Sequence, residues 1–331
     1  MRPKILILFS LLILLILNIL TSISIGPVRI PFYDVVITIF QYFTGDPYNR
    51  IYMLIIFYIR MPRVLLAVLI GAVLAISGLT TQTIFRNPLG DPYLTGIASG
   101  AALGAAIGFL ISPFVVEPLA FAFAMLAVFI TFVISRVDGE FSPEIMILAG
   151  IAVSFFFSAI ASYLIYLREV NLRGVLFWLL GGLYGANWND VFYLTIASLI
   201  LFPIIFYFIP EFDLMLMGDE QAKSMGVNTK RVKVFTLLSS SIVTSFAVSM
   251  VGIIGFIGLV SPHIARKIVG ESHRFLLPAS ILIGANLLLA SDTIARSNPG
   301  GEIPVGIITS FIGAPLLIYL LIRRRFIDRS N

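Results

Sequence analysis

Long apolar runs, broken by charge, Pro and Gly, dominate the chain. A helix rises 1.5 Å per residue, so about 20 mostly apolar residues cross about 30 Å of hydrocarbon. On that measure the pattern predicts ten spans, roughly 5–25, 62–84, 93–112, 117–136, 143–167, 191–210, 232–252, 255–270, 275–295 and 303–322. The first run follows Arg2 and Lys4 as a signal peptide would, yet it is long, rich in Ile and Leu, and lacks an A-x-A cleavage pattern, so it predicts a retained span. Residues 51–84 are too long for one span, and Pro62 predicts a break there. The eighth run is short. The predicted fold is an all-α polytopic membrane protein, one domain over residues 1–331.

Two polar connections stand out by length. Residues 26–61 contain Gly26-Pro27, Pro31 and Gly45-Asp46-Pro47, with aromatic-rich stretches suited to an interface. Residues 211–231 form the most polar internal segment. An inverted repeat relating spans 2–5 to spans 7–10 is possible: Arg63-Val64 leads to Pro92 as Arg231-Val232 leads to Pro262, in spans that run oppositely.

Shorter features punctuate the spans. In Arg86-Asn87-Pro88-Leu89-Gly90-Asp91-Pro92 the prolines end one helix and begin another, and Asn87 and Asp91 can cap the freed backbone. That segment is either a plain turn or irregular backbone lining a pathway, which a bilayer tolerates only under cover of protein or water. Gly96, Gly100, Gly104 and Gly108 fall at steps of four, so they share one helical face and let a neighbouring helix come close.

Composition agrees with a bilayer. Hydrophobic residues make up 59% and charged residues 12%, too apolar for a water-soluble core. The net charge of +5 raises the question of nucleic acid, but the distribution answers it. With both termini inside, fifteen of the 22 Lys and Arg residues are cytoplasmic, and seven lie outside: Arg29, Arg50, Arg60, Arg63, Arg168, Arg173 and Arg296. The positive-inside rule accounts for that balance, and no nucleic-acid partner is expected. Both termini are placed in the cytoplasm and residues 26–61 outside the cell membrane.

Candidate chemistry is sparse. There is no Cys, and His263 and His273 lack the companions of a metal site, so neither metal nor cofactor is expected. Gly252, Gly255 and Gly258 have the wrong spacing for a dinucleotide fingerprint. No G-x-x-x-x-G-K-[ST] cradle for ATP is present, nor any catalytic Ser/His/Asp set. An ion-coupled carrier usually needs an ionisable residue at mid-membrane, whereas Asp91, Glu144, Asp292 and Glu302 fall near predicted span ends.

Five segments, in order, then resemble one family: 60–63 (RMPR), 86–104 (RNPLGDPYLTGIASGAALG), 217–227 (MGDEQAKSMGV), 255–266 (GFIGLVSPHIAR) and 302–321 (EIPVGIITSFIGAPLLIYLL). They look like the permease subunits of ABC importers for iron-siderophores, haem and cobalamin, the FecCD type, over about residues 60–322. The resemblance implies a ten-span subunit working as a homodimer with a second copy of itself, two ATP-binding subunits below and an extracytoplasmic substrate-binding protein outside. Hydrolysis would belong to the separate subunits, so this chain would not be an enzyme. Within residues 211–231 the resemblance implies a coupling helix for the ATPase, at Gly218, Asp219, Glu220, Gln221, Ala222, Lys223, Ser224, Met225 and Gly226. The residues agree: Asp219 and Glu220 suit a helix N-terminus, Lys223 lies one turn on, and Gly226 suits a C-terminal stop. A solvated helix without a partner is the plainer alternative.

By the same resemblance Arg60, Arg63 and Arg296 would receive acidic residues of the binding protein, against the alternative of interfacial anchors. The fifth span, from Pro143, would line the path, with a gate near Ile147 that closes by apolar packing. A ferric siderophore ranks first as cargo, with haem, cobalamin and oxyanions also within the family's range. The rival reading is an ion-coupled secondary transporter that needs no ATPase.

Overall fold

In the computed structural model, residues 1–45, 49–137, 140–167 and 172–328 are described. Arg168 and Asp46-Pro47 of the sequence analysis lie outside them. Seven helices among these residues are long and apolar enough to cross a membrane: α1 (Arg2–Ser24), the run Arg50–Phe85, Pro113–Ile134, α7 (Pro143–Leu167), α9 (Trp188–Tyr207), α12 (Thr229–Val251) and α14 (His273–Arg296). The shorter α5 (Ile97–Ile111) and α13 (Ile257–Val269), with α15 (Val305–Asp328), complete ten helices that match the ten predicted spans. One two-residue antiparallel ladder, Arg136–Val137 with Glu140–Phe141, follows α6 (Val116–Ile134).

The break predicted at Pro62 is absent. Arg50–Phe85 is one helix of 36 residues, made of α3 (Arg50–Leu54), a π-helical stretch Ile55–Arg60 and α4 (Met61–Phe85). A proline inside a helix lacks an amide donor and clashes with the carbonyl four residues back. The widened π turn just before Pro62 moves the hydrogen-bond register, with the Met61 N–H reaching Ile56 O, and absorbs that conflict. Much of the 26–61 connection is therefore helix, including α2 (Phe32–Thr44).

The inverted repeat shows in which helices pack together. Exchanging α4, α5, α6 and α7 for α12, α13, α14 and α15 maps the pair α4–α14 onto α12–α6, α5–α6 onto α13–α14, and α5–α7 onto α13–α15. At the crossing of α4 and α12, Ser77 Oγ donates to Ser240 O at 3.3 Å and Thr244 Oγ1 donates to Ser77 at 2.8 Å. A short sequence marks the same relation: Gly150-Ile151-Ala152-Val153-Ser154-Phe155 on α7 and Gly306-Ile307-Ile308-Thr309-Ser310-Phe311 on α15. The α4 window is 83% buried and the α1 window only 11%, so α4 is the central helix and α1 a peripheral one.

Small residues set the spacing. A Cβ at Gly71 would collide with Gly284 O on α14, and one at Gly78 with Gly258 O on α13, so α4 touches both neighbours backbone to backbone. The face of α5 behaves likewise: a Cβ at Gly100 or Gly104 would strike Phe123 O or Leu119 O of α6, and one at Gly108 would sit 2.6 Å from Val116 Cα. Gly96 does other work. With φ 87° it joins the 3-10 turn Pro92–Thr95 to α5, a left-handed conformation that glycine takes without steric cost.

Candidate coupling site at the ends of the central helix pair

The C-terminal end of α4 is formed by its last turn. Gln82, Thr83 and Arg86 there each reach a different element. Gln82 Nε2 donates to Leu259 O of α13 at 3.2 Å, and Arg266 Nη1 donates to Gln82 Oε1 at 3.3 Å. Arg86 closes α4 in the left-handed conformation, φ 48°, which turns its side chain out of the helical path. Its Nη2 donates to Met215 O at 3.2 Å and to Asp219 Oδ1 at 2.5 Å.

Those acceptors belong to the polar connection after α9, which folds as α10 (Ile209–Met215) and α11 (Asp219–Ser224). The sequence dictates both ends of α11. Gly218 at φ 129° and Gly226 at φ 88° take conformations that other residues rarely adopt, with Asp219 and Glu220 in the first turn and Lys223 in the last. After Gly226 the Val227 N–H returns to Ala222 O at 3.0 Å, closing the helix. Ala222 is buried, while Glu220, Gln221, Lys223, Ser224 and Met225 are exposed, so α11 rests on one side and offers the other. Asp219 is the tie: besides Arg86 it accepts from Lys233 Nζ of α12. Sequence reasoning gave Asp219 a dipole role and Arg86 a turn; the structure joins them in one ion-paired group.

α10 has its own attachment. Phe212 is fully buried. Asp213 Oδ1 accepts from the His273 backbone N–H at 2.8 Å and from His273 Nδ1 at 2.7 Å, and Ser272 Oγ donates to Asp213 Oδ2 at 3.2 Å. Asp213 thus caps the N-terminus of α14 from another element, where a negative charge is favoured. On the far side of the ring, His273 Nε2 lies 2.8 Å from Thr83 Oγ1 on α4. The sequence offered no signal for this, because Asp213 and His273 stand 60 residues apart.

The N-terminal end of α4, paired with the C-terminal end of α14, holds the predicted docking arginines. The structure brings them together but turns them inward. Arg63 Nε and Nη2 bond Asp292 Oδ1 at 3.0 and 2.7 Å, and Nη2 also pairs with Glu302. Asp292 is shared with Arg296 Nε at 3.4 Å. Arg296 donates to Ser22 O, and Arg60 to Ile23 O, Ser24 O and Val28 O, carbonyls at and beyond the C-terminus of α1. Arg60 is 3% and Arg296 4% exposed, and their guanidinium groups bond the chain itself. Arg63 keeps a partial route to solvent beside Glu302.

Between the ends, irregular segments of the two halves meet. Asp91 Oδ1 caps the 3-10 turn at Tyr93 N, 2.8 Å, and Tyr93 Oη donates to Ile254 O at 3.0 Å. Burial pushes the Asp91 carboxyl up to about 6, against the pull of the Tyr93 N–H. A groove of about 220 Å³ runs along Tyr93, Leu94, Ile151, Ser154 and Phe155. A second, of about 570 Å³, runs along Ile253, Gly255, Ile307, Ser310 and Phe311. Phe155 is 75% and Phe311 74% exposed, matching positions of the repeat left open on α7 and α15. Pro143 opens α7, and Ile147 is half-buried one turn on.

Residues 13–323 match the FecCD transport family. The chain belongs to that family. It is 42% identical over 267 residues to the Fe(3+)-citrate import system permease protein YfmE of Bacillus subtilis, covering 79% of this chain and 80% of that protein. It is 41% identical over 266 residues to the cobalamin import system permease protein BtuC of Halobacterium salinarum, covering 80% and 72%. A solved inward-facing structure assigned to the metal-chelate type of ABC transporter superimposes with a TM-score of 0.83 at 32% identity, over 96% of this chain and 99% of that one. FecCD membership therefore rests on sequence and on fold alike.

Proposed function

We propose that this FecCD chain is the membrane permease subunit of an ATP-driven ABC importer, and that it forms the translocation path as a homodimer in the cell membrane. Two ATPase subunits engage α11 from the cytoplasm, where both termini also lie, and an extracytoplasmic binding protein delivers cargo outside. The observation that carries this reading is α11 itself, open along Glu220, Gln221, Lys223, Ser224 and Met225 and tied on its other side through Asp219 to α4 and α12. A solvated helix without a partner has no need of such a tie. The chain performs no covalent chemistry; it converts displacement of α11 into a change of helix packing.

The exposed faces of α7 and α15, each a groove with a phenylalanine beside it, favour a second copy of the chain as the missing wall. Ile147 would then close the path by meeting its counterpart. Delivery outside would engage Arg63, and a carboxylate from the binding protein would have to displace Glu302 to reach it. Iron or another metal held as a chelate, a ferric siderophore first, is the proposed cargo. The relatives' names span cobalamin, ferric citrate and molybdate, so haem, cobalamin and oxyanions stay within range.

Purification from the native membrane tests the reading. We expect a stoichiometric ATP-binding subunit that is lost on deleting residues 218–226, and uptake into vesicles that requires ATP. Uptake driven by a proton or sodium gradient without ATP would overturn it. Because the chain has no native cysteine, Ser224→Cys should react with an impermeant maleimide only from the cytoplasm, and Asn49→Cys only from outside.

A further inference from the structure

We infer that Asp213, His273 and Thr83 form the link by which motion of the coupling arm reaches the central helix pair, with His273 as its positioning residue. The inference rests on the proposed function and adds a route to it. α11 is tied to α12 and to the end of α4 by Asp219, a carboxylate about one-third exposed. α10 is held by a different kind of contact: Phe212 is buried against the His273 ring at 5.3 Å between centroids, and Asp213, itself 36% exposed, accepts three hydrogen bonds from Ser272 and the buried His273.

His273 is almost fully buried, and its two nitrogens face two different elements. Nδ1 donates to the Asp213 carboxylate of α10, while Nε2 meets the Thr83 hydroxyl of α4. Thr83 Oγ1 also lies within bonding distance of Leu79 O in its own helix, 2.9 Å. Displacing α10 without moving α14 and α4 would strip a buried ring of its partners, which is costly in a low-dielectric interior. α10, α14 and α4 therefore move together. From there the displacement has a stiff path outward, because α4 and α14 touch at Gly71 and Gly284 and are paired at the far end by Arg63 and Asp292. Two further ties leave this end of α4: the Gln82–Arg266 contact leads to α13 instead, and the half-exposed Arg86 reaches Met215 O of α10 and Asp219 of α11.

The test uses the full complex with its ATPase subunits in vesicles, with Ser297→Cys as a reporter at the outer end of α14. The readout is the rate of labelling by an impermeant maleimide, with and without ATP plus vanadate. In the otherwise unchanged chain we expect nucleotide to alter that rate about fivefold or more. Asp213→Ala and Thr83→Val should abolish the nucleotide response while ATP hydrolysis continues. Asp213→Asn, which keeps an acceptor oxygen, should restore part of it. His273→Asn, which preserves a donor toward Asp213 but cannot reach Thr83, should match Thr83→Val, and the two together should be no worse than either alone.

A response that survives in both Asp213→Ala and Thr83→Val overturns the link. So does a parallel loss of response and hydrolysis in every variant, which marks the group as structural only. Should Asp213→Ala fail to assemble, Thr83→Val and His273→Asn carry the test. A parent chain that binds no ATPase, or shows no nucleotide response, refutes the proposed function itself and is told apart by that control.

Discussion

The two ends of the α4–α14 pair use the same chemistry in opposite settings. At the N-terminal end of α4, Arg63 meets Asp292, which is fully buried and shared with the buried Arg296. At its C-terminal end, Arg86 meets Asp219 with side chains 44% and 32% exposed, although the buried Lys233 shares that carboxylate. A buried ion pair is expensive to break, because either partner alone is left uncompensated, whereas an exposed pair gains little and exchanges readily. The Arg63 end therefore holds α4, α14 and the end of α1 in register. The Arg86 end is the more exposed of the two, as the proposed coupling role requires.

Mutations can break this contrast. Asp292→Ala should have the largest effect, since it removes the buried carboxylate that Arg63 and Arg296 share and leaves Arg296 without an acidic partner; we expect a loss of about 3–5 kcal/mol, read as a large fall in melting temperature of the purified protein. Next, Gly71→Ala would force α4 away from Gly284 and should cost about 1–3 kcal/mol by overpacking. If the pair acts as one rod, that variant should also weaken communication between its ends. A melting temperature unchanged in Asp292→Ala would mean that the outer cluster is not a clasp.

Asp219→Asn should cost about 1 kcal/mol of stability, because Arg86 reaches water and the amide oxygen can still accept from the buried Lys233. Its effect should fall on coupling, with ATP hydrolysis retained and transport reduced. The smallest effect concerns Asp91. Its pKa is raised to about 6, so the folded chain holds the proton more tightly than the unfolded one. Stability should then decline as pH rises from the ordinary carboxylate range to about 6, and level off above it. Asp91→Asn should flatten that segment of a melting-temperature profile; a profile rising through the same window would contradict the assignment.

What the sequence made legible follows from range. The spans and α11 were readable because they depend on neighbours a few residues apart: apolar length for the spans, and Asp219, Lys223 and Gly226 for the short helix. The glycine face of α5 was readable for the same reason, apart from Gly96, whose positive φ places it in the turn. The long helix through Pro62 was missed because a π turn, which no residue type announces, removes the conflict. Long-range partners were the largest gap. Asp292 and Glu302 look like residues near span ends, His273 like an isolated histidine, and Arg86 like part of a turn, until folding brings each to its counterpart. Arg63-Val64 and Arg231-Val232 mark the repeat only faintly, and the Gly-Ile and Ser-Phe pairs of α7 and α15 mark it more clearly.

The most direct measurement is the stimulation of ATP hydrolysis inside by docking of the binding protein outside, in the complex carrying Asp219→Asn. The account predicts basal hydrolysis close to that of the unchanged complex, with the stimulation clearly weakened and the remainder carried by the Asp213–His273–Thr83 link. Full stimulation in that variant would contradict it, because the tie between α11 and the central pair would then carry no signal.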